Sequence, residues 1–313
     1  MLDITIIIPF LNEEDNIQHL VDSLDNLCLN SKLRFEVIFV DDGSTDRSLH
    51  VLHKQKIESF NAKIVKLSQN FGSHSALRAG TQIASGKYIG FTYADLQDPL
   101  DLQLIMHDIV INEKANIVWG SRKKTNNSFT ETFFSRLYGN LMRRFVNAKY
   151  PINGFDVVFF DKKVKDILIE NIESNSSIFL QILSLGFKQE TILYDKKLRK
   201  KGESKWTLSK KIKLFIDSFI AFSYTPIRFV TIIGILLFTL GLFFASYLII
   251  RQALYGDLES GWPALISILM LGFGVTNISL GILAEYLWRT LDSSRGRPVF
   301  IIDEIIDLNS KDA

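Results

Sequence analysis

The sequence predicts an α/β domain with a mostly parallel sheet, followed by two helices that cross a membrane. Three observations carry this expectation. From residue 1 to about residue 125, short β-rich runs alternate with helix-patterned segments; the ends of those runs are unusually polar; and the C-terminal third holds two long stretches without a charge. The 313 residues are ample for a sizeable core, and a formal net charge of +2 leaves no global basic field, so no nucleic-acid partner is expected.

The first run, 4–8, follows an N-terminus without a basic leader and is too short for a signal peptide, so it reads as a buried strand of a chain that begins in the cytosol. A helix is expected next, because Ile17, Leu20, Val21, Leu24 and Leu27 fall on one face. The single cysteine, Cys28, lies among them and reads as a buried structural thiol. Further strands are expected at 35–40, 62–67, 88–92 and 117–119. Parallel sheets bind ligands outside the carboxyl ends of their strands, which makes the strand exits the place to search.

Strand one exits into Pro9-Phe10-Leu11-Asn12-Glu13-Glu14, strand two into Asp41-Asp42-Gly43-Ser44-Thr45-Asp46, and strand four into Tyr93-Ala94-Asp95-Leu96-Gln97-Asp98-Pro99. Asn12, Ser44, Thr45 and Asp46 are good helix N-caps. Capping does not account for Asp41 and Asp42 standing together, because adjacent carboxylates repel unless a cation, a donor-rich ligand or water relieves them. Asp42, with Asp41 beside it, is therefore expected to contact a nucleotide base and ribose.

Farther on, 229–250 and 262–284 run 22 and 23 residues without a charge, and neither has the polar face of a helix in a soluble bundle. At 1.5 Å per residue each spans roughly 33 Å, against a hydrocarbon core of about 30 Å. Basic residues crowd the sequence before the first run (Arg199, Lys200, Lys201, Lys205, Lys210, Lys211, Lys213, Arg228) and after the second (Arg289, Arg295, Arg297). The positive-inside bias then puts both termini in the cytoplasm. Leu208, Ile212, Phe215, Phe219 and Phe222 repeat at helical spacing beside lysines, the pattern of an interfacial helix on anionic headgroups; an ordinary domain helix leaves the same stripe.

Taken in order, IPFLNEE, VDDGSTD, NFGSHSALRAG, ADLQDP, RKKGESKW, two apolar spans and the tail RPVFII resemble the polyprenyl-phosphate glycosyltransferases of glycosyltransferase family 2, the group of dolichol-phosphate mannose synthase and the bactoprenol glucosyltransferases. The resemblance implies a GT-A (Rossmann-like) domain over 1–200, juxtamembrane amphipathic helices over 201–228, a transmembrane hairpin over 229–288 and a cytoplasmic tail over 289–313. It also implies an integral protein of a bacterial inner membrane that moves one sugar, with inversion, from a nucleotide-sugar donor to polyprenyl (undecaprenyl or dolichyl) phosphate with Mg²⁺ or Mn²⁺. A UDP-sugar is favoured over GDP-mannose, and some relatives assemble as homo-oligomers.

Residue by residue, the resemblance puts Pro9, Asn12, Glu13 and Asp42 at nucleotide-binding positions and Asp95 and Gln97 at metal-binding ones, with Asp95 also counted in the catalytic centre. Asp156 matches an acid placed near the sugar. Arg199, Ser204 and Lys205 match the R-x-x-G-x-S-K segment that receives phosphate, and Arg122 and Arg136 are further candidates for the acceptor phosphate; positive-inside bias alone also enriches cations here. In an extended segment Asp95 and Gln97 share a face and Leu96 turns inward. Tyr93 shares their parity but is a neutral phenol, suited to touching the donor rather than a hard cation, and Asp98, before Pro99, is expected to shape a turn or cap a helix.

Relatives usually carry an acid where this chain has Tyr93, an arginine where it has Val158, and an arginine where it has Gln69. These departures leave a nucleotide-binding scaffold as the rival reading. A processive polysaccharide synthase is disfavoured, since Q-x-x-R-W is absent.

Overall fold

The computed structural model describes residues 2–123, 139–144, 147–151, 154–172, 176–196, 225–255 and 261–309. The chain divides into two compact units, Met1–Phe215 with Pro298–Ala313, and Ile216–Arg297.

In the first unit every strand expected from the sequence is present: β1 (Ile4–Phe10), β2 (Phe35–Asp41), β3 (Asn61–Leu67), β4 (Tyr88–Phe91) and β5 (Ile117–Arg122). Three more were not read from the sequence: β6 (Val157–Asp161), β7 (Gln189–Tyr194) and β8 (Ile302–Asp307). The sheet order is β7-β5-β6-β4-β1-β2-β3-β8. β1 pairs parallel with β2 and β4, β2 with β3, and β5 with β7, whereas β6 and β8 run antiparallel to their neighbours. This is the mostly parallel, GT-A-like α/β sheet that the sequence predicts.

β1 and β2 are buried along their whole length, as expected of strands covered on both faces. Helix α1 (Glu14–Leu29) buries Ile17, Leu20, Val21, Leu24, Leu27 and Cys28, the face anticipated from the spacing. Between them come α2 (Ser48–His53), α3 (Ser73–Ile83) and α4 (Leu102–Ile111), then α5 (Lys162–Glu170) and α6 (Ile178–Ser184). α3 seats closely on β1 and β2 because Gly80 has no side chain; a Cβ there would lie 2.4 Å from Ile7 Cγ2.

Strand polarity puts the ends of β1 to β5 and of β7, and the start of β6, on one edge of the sheet. β8 enters from that same edge: Ile302 pairs with Leu67, the last residue of β3, and the Ser68 amide donates to the Ile301 carbonyl at 3.0 Å.

The second unit contains α7 (Thr225–Tyr255, 31 residues) and α8 (Trp262–Ser294, 33 residues), which pack on each other. Phe229, Phe243, Phe273 and Leu287 on these helices are each more than half exposed. Among the described residues, no helix is long and apolar enough to cross a membrane. The expected interfacial segment around Leu208 to Phe222, and with it Arg199, Ser204 and Lys205, lies outside the described residues, as does Arg136.

Candidate active site

The exits of β1 and β2 are latched together by the residues that the sequence singles out. Asn12 has a left-handed backbone (φ 51), and its side-chain oxygen accepts the Thr45 amide at 2.8 Å and the Asp46 amide at 3.4 Å. Its own amide donates to Ser44 Oγ at 3.0 Å, and the Glu13 amide donates to Ser48 Oγ at 2.8 Å. Ser44 and Thr45 therefore serve the latch rather than cap α2, while Asp46 Oδ1 accepts the Ser48 amide at 2.9 Å. The turn is possible because Gly43 has φ 78 and approaches so closely that a Cβ would lie 2.8 Å from the Asn70 nitrogen.

Asp41 and Asp42 diverge at the end of β2. Asp41 is fully buried; its Oδ1 accepts the Ser44 amide at 2.9 Å, and Oδ2 has no hydrogen-bond partner among the described residues. Asp42 reaches across to the loop before α3, where its Oδ1 accepts the Phe71 amide at 2.8 Å. Burial pushes the Asp42 carboxyl from 3.8 up to about 6, against the lowering effect of the Phe71 and Gly72 amides. His74, in the first turn of α3, packs edge-on against Phe179 at 5.8 Å, and burial lowers its imidazole to about 4, so it is a neutral packing residue.

The segment after β4 corrects one sequence expectation. It is a turn rather than an extended run: the Leu96 amide donates to the Tyr93 carbonyl at 3.4 Å, and Leu96 itself has φ 52. Strand parity therefore does not set which side chains share a face. The turn is closed by Asp95 Oδ1, which accepts the Gln97 backbone amide at 3.3 Å, while Leu96 packs against the core.

Asp98 is the second correction. It lies at a bend, as its place before Pro99 predicts, but does not cap α4, which has no side-chain cap bond. It is 3 % exposed and belongs to a buried charged cluster. Its Oδ1 accepts the Tyr194 hydroxyl and lies 3.2 Å from Lys196 Nζ. Burial raises the Asp98 carboxyl, with Lys196 and Tyr194 pulling it back down.

Asp156, just before β6, is the other carboxylate of this cluster. Arg122, the last residue of β5, donates Nε to Asp156 Oδ2 at 2.5 Å and Nη2 to Oδ1 at 2.6 Å. The Tyr194 hydroxyl lies 3.2 Å from Asp156 Oδ2, and Lys196 Nζ lies 3.4 Å from Oδ1. Burial alone would raise the Asp156 carboxyl, but the Arg122 bonds and the Lys196 charge outweigh it and hold the group below the ordinary range. Tyr93 is half-buried, and burial followed by the charges of Asp98, Asp156 and Asp95 raises its phenol, which stays neutral.

The sequence singles out Asp156, Arg122, Asp95 and Gln97, but not Tyr194 and Lys196, which the structure brings to Asp98 and Asp156. The signal was present as a polar triplet, Tyr194-Asp195-Lys196, leaving an alternating run just ahead of RKKGESKW.

Among the described residues no three of His, Cys, Asp and Glu converge to hold a metal. One carboxylate and one carboxamide on a tight turn suit instead a Mg²⁺ or Mn²⁺ ion that takes few protein ligands and completes its shell with water and phosphate.

Residues 5–167 match the model of the glycosyl transferase family 2 domain. Over 97 % of its length the chain is 32 % identical to an uncharacterised glycosyltransferase of Synechocystis sp., covering 96 % of that protein. It is 31 % identical to an uncharacterised glycosyltransferase of Bacillus subtilis over 98 % of this chain and 95 % of the other. It is also 28 % identical to the undecaprenyl-phosphate 4-deoxy-4-formamido-L-arabinose transferase of Pseudomonas savastanoi pv. phaseolicola, over 98 % of this chain and 92 % of that one.

Proposed function

Because this chain belongs to glycosyltransferase family 2 and is a glycosyltransferase, we propose that it transfers a single sugar from a nucleotide-sugar donor to polyprenyl phosphate at the cytoplasmic face of a membrane. The observation that carries the reading is the four-way grip on Asp156 by Arg122, Tyr194 and Lys196 beside the Asp95-Gln97 turn. A carboxylate so engaged is kept ionised and has little capacity to take up a proton.

An acceptor that needs no general base fits such a site. A phosphate monoester loses its second proton near pH 6, so at neutral pH its oxygen attacks the anomeric carbon unaided. Asp156 then orients a sugar hydroxyl and stabilises the positive charge that develops on the ring as the leaving bond lengthens. Tyr93, a neutral phenol beside Asp156 and Asp95, contacts the donor. Asp95 and Gln97 are the residues that would hold Mg²⁺ or Mn²⁺, which when bound neutralises the leaving diphosphate. A UDP-sugar is the favoured donor, and the nucleotide lies along the latched exits of β1 and β2.

The acceptor's membrane location is supported by the second unit. The segments 229–250 of α7 and 262–284 of α8 carry no charge. An even number of spans suits a chain whose two links to the hairpin both belong to the first unit.

Purified protein in detergent, incubated with undecaprenyl phosphate, Mg²⁺ or Mn²⁺ and a panel of labelled UDP- and GDP-sugars, should yield a labelled lipid with one donor. Nucleotide binding without product from any donor would overturn the assignment in favour of the scaffold reading. Asp156→Asn should lower turnover at least about 100-fold with nucleotide affinity intact; full activity would remove Asp156 from the chemistry.

A further inference from the structure

Two carboxylates in the first unit share both a phenol and an ammonium. The Tyr194 hydroxyl meets Asp98 Oδ1 and also lies 3.2 Å from Asp156 Oδ2, while Lys196 Nζ lies 3.2 Å from Asp98 Oδ1 and 3.4 Å from Asp156 Oδ1. Asp98 follows directly on the Asp95-Gln97 turn, and Tyr194 is the last residue of β7, a strand parallel to the one that ends in Arg122. Asp98 and Asp156, far apart in sequence, therefore meet on one hydroxyl.

We propose that Tyr194 is a positioning residue for sugar transfer: its hydroxyl, sharing one proton between Oδ1 of the buried Asp98 and Oδ2 of Asp156, holds Asp156 at a fixed place relative to the Asp95-Gln97 turn. This rests on the reading of Asp156 as the acid of the reaction. The burial pattern suits the role. Asp98 has a side chain only 2 % exposed and cannot follow solvent, and Tyr194 is 5 % exposed with its ring packed in the core, so neither end of the link can swing. Arg122, with a side chain 35 % exposed, supplies charge and two hydrogen bonds to Asp156. Misplacing a reacting group by a fraction of an ångström costs rate while leaving ground-state binding nearly untouched, which gives this role a signature different from a loss of fold.

The test is Tyr194→Phe, which removes one oxygen and keeps the ring. In the full chain in detergent, kcat should fall at least about 10-fold while the KM for the donor and the affinity for the nucleoside diphosphate stay within about twofold. In an Asp156→Asn background, read as single turnovers with enzyme in excess, the same change should cost less than about twofold, because the residue acts through Asp156. An equal loss in both backgrounds, an unchanged kcat, or a fall in kcat matched by a fall in nucleotide affinity would overturn the proposal. A second readout needs no turnover. The ¹³C-carboxyl resonance of Asp156, identified by its absence in Asp156→Asn, should move in Tyr194→Phe, and a resonance that stays in place overturns the positioning role even if the wild-type protein transfers no sugar at all. Absence of transfer by the wild type with every donor counts instead against the proposed reaction.

Discussion

Both carboxylate oxygens of Asp42 accept the backbone amide of Gly72, at 3.1 and 3.0 Å, so the end of β2 is tied to the residue that opens α3. That tie holds a carboxyl that burial has moved from 3.8 up to about 6. A carboxyl raised on folding binds more protons in the folded state, so its contribution to stability is full below pH 3.8 and is lost as pH rises through about 6. Such a displacement corresponds to about 3 kcal/mol. Asp42→Asn keeps an acceptor for the Phe71 and Gly72 amides and does not titrate. Thermal unfolding at pH 4 and pH 7 should therefore show the wild type losing stability relative to Asp42→Asn as pH increases. A stability difference that does not change with pH would contradict this.

The central strands and the face of α1 were legible because they are local: apolar runs and a helical stripe are set by neighbours in sequence. β6 was overlooked although its apolar run Val157-Val158-Phe159-Phe160 is plain, because it stands after a long stretch without a repeating rhythm, and its antiparallel direction follows only from pairing with β4 and β5. Asp98 was misread for a related reason. Its neighbour Pro99 points to a turn, whereas its partners Tyr194 and Lys196 lie about a hundred residues away, and no spacing rule reaches that far. Asp95 and Gln97 are singled out by the resemblance alone, because the positive φ of Leu96 rules out the extended chain on which strand parity depends.

Arg122 was expected as a candidate for the acceptor phosphate, and the structure gives its guanidinium a carboxylate partner. Among the described residues, Arg122→Ala would leave Asp156, a side chain 12 % exposed, with the longer contacts to Tyr194 and Lys196. Breaking a fully buried pair costs about 3 to 5 kcal/mol; partial exposure of the arginine reduces this to about 2. Losing the guanidinium also removes the main force holding the Asp156 carboxyl low, so the acid limb of the activity profile should shift to higher pH. Unchanged stability together with a raised KM for polyprenyl phosphate would instead restore Arg122 to the acceptor side.

A two-ligand turn makes a weak metal site by itself, with the remaining coordination drawn from water and the donor's phosphates. Treatment with a chelator should abolish transfer, and Mg²⁺ or Mn²⁺ should restore it. Gln97→Ala should raise the metal concentration for half-activation about 10-fold, and Asp95→Asn should raise it further, because the anionic ligand contributes more to binding a hard cation. Activity indifferent to chelation would remove Asp95 and Gln97 from the metal role.

The tail contributes more than a terminus. β8 pairs antiparallel with β3, Lys66 Nζ lies 2.6 Å from Asp303 Oδ2, and Asn309 closes the end of the ladder. The Asn309 side-chain oxygen accepts the Ala62 amide at 2.6 Å, and its Nδ2 donates to the carbonyls of Ile57 and Phe60, each at 3.1 Å. Lys66 and Asp303 are exposed, so their ion pair contributes little. Asn309 satisfies three backbone groups at once, and Asn309→Ala leaves them to water; the expected cost is about 1 to 2 kcal/mol. Lys66→Ala should leave the unfolding midpoint almost unchanged. Because β8 meets β3 at the edge where Asp42 grips the loop beyond Leu67 and Ser68, loosening the tail should also increase hydrogen exchange at the Phe71 and Gly72 amides. Exchange confined to β8, with those two amides unaffected, would show that the tail strand stabilises the sheet without supporting the site.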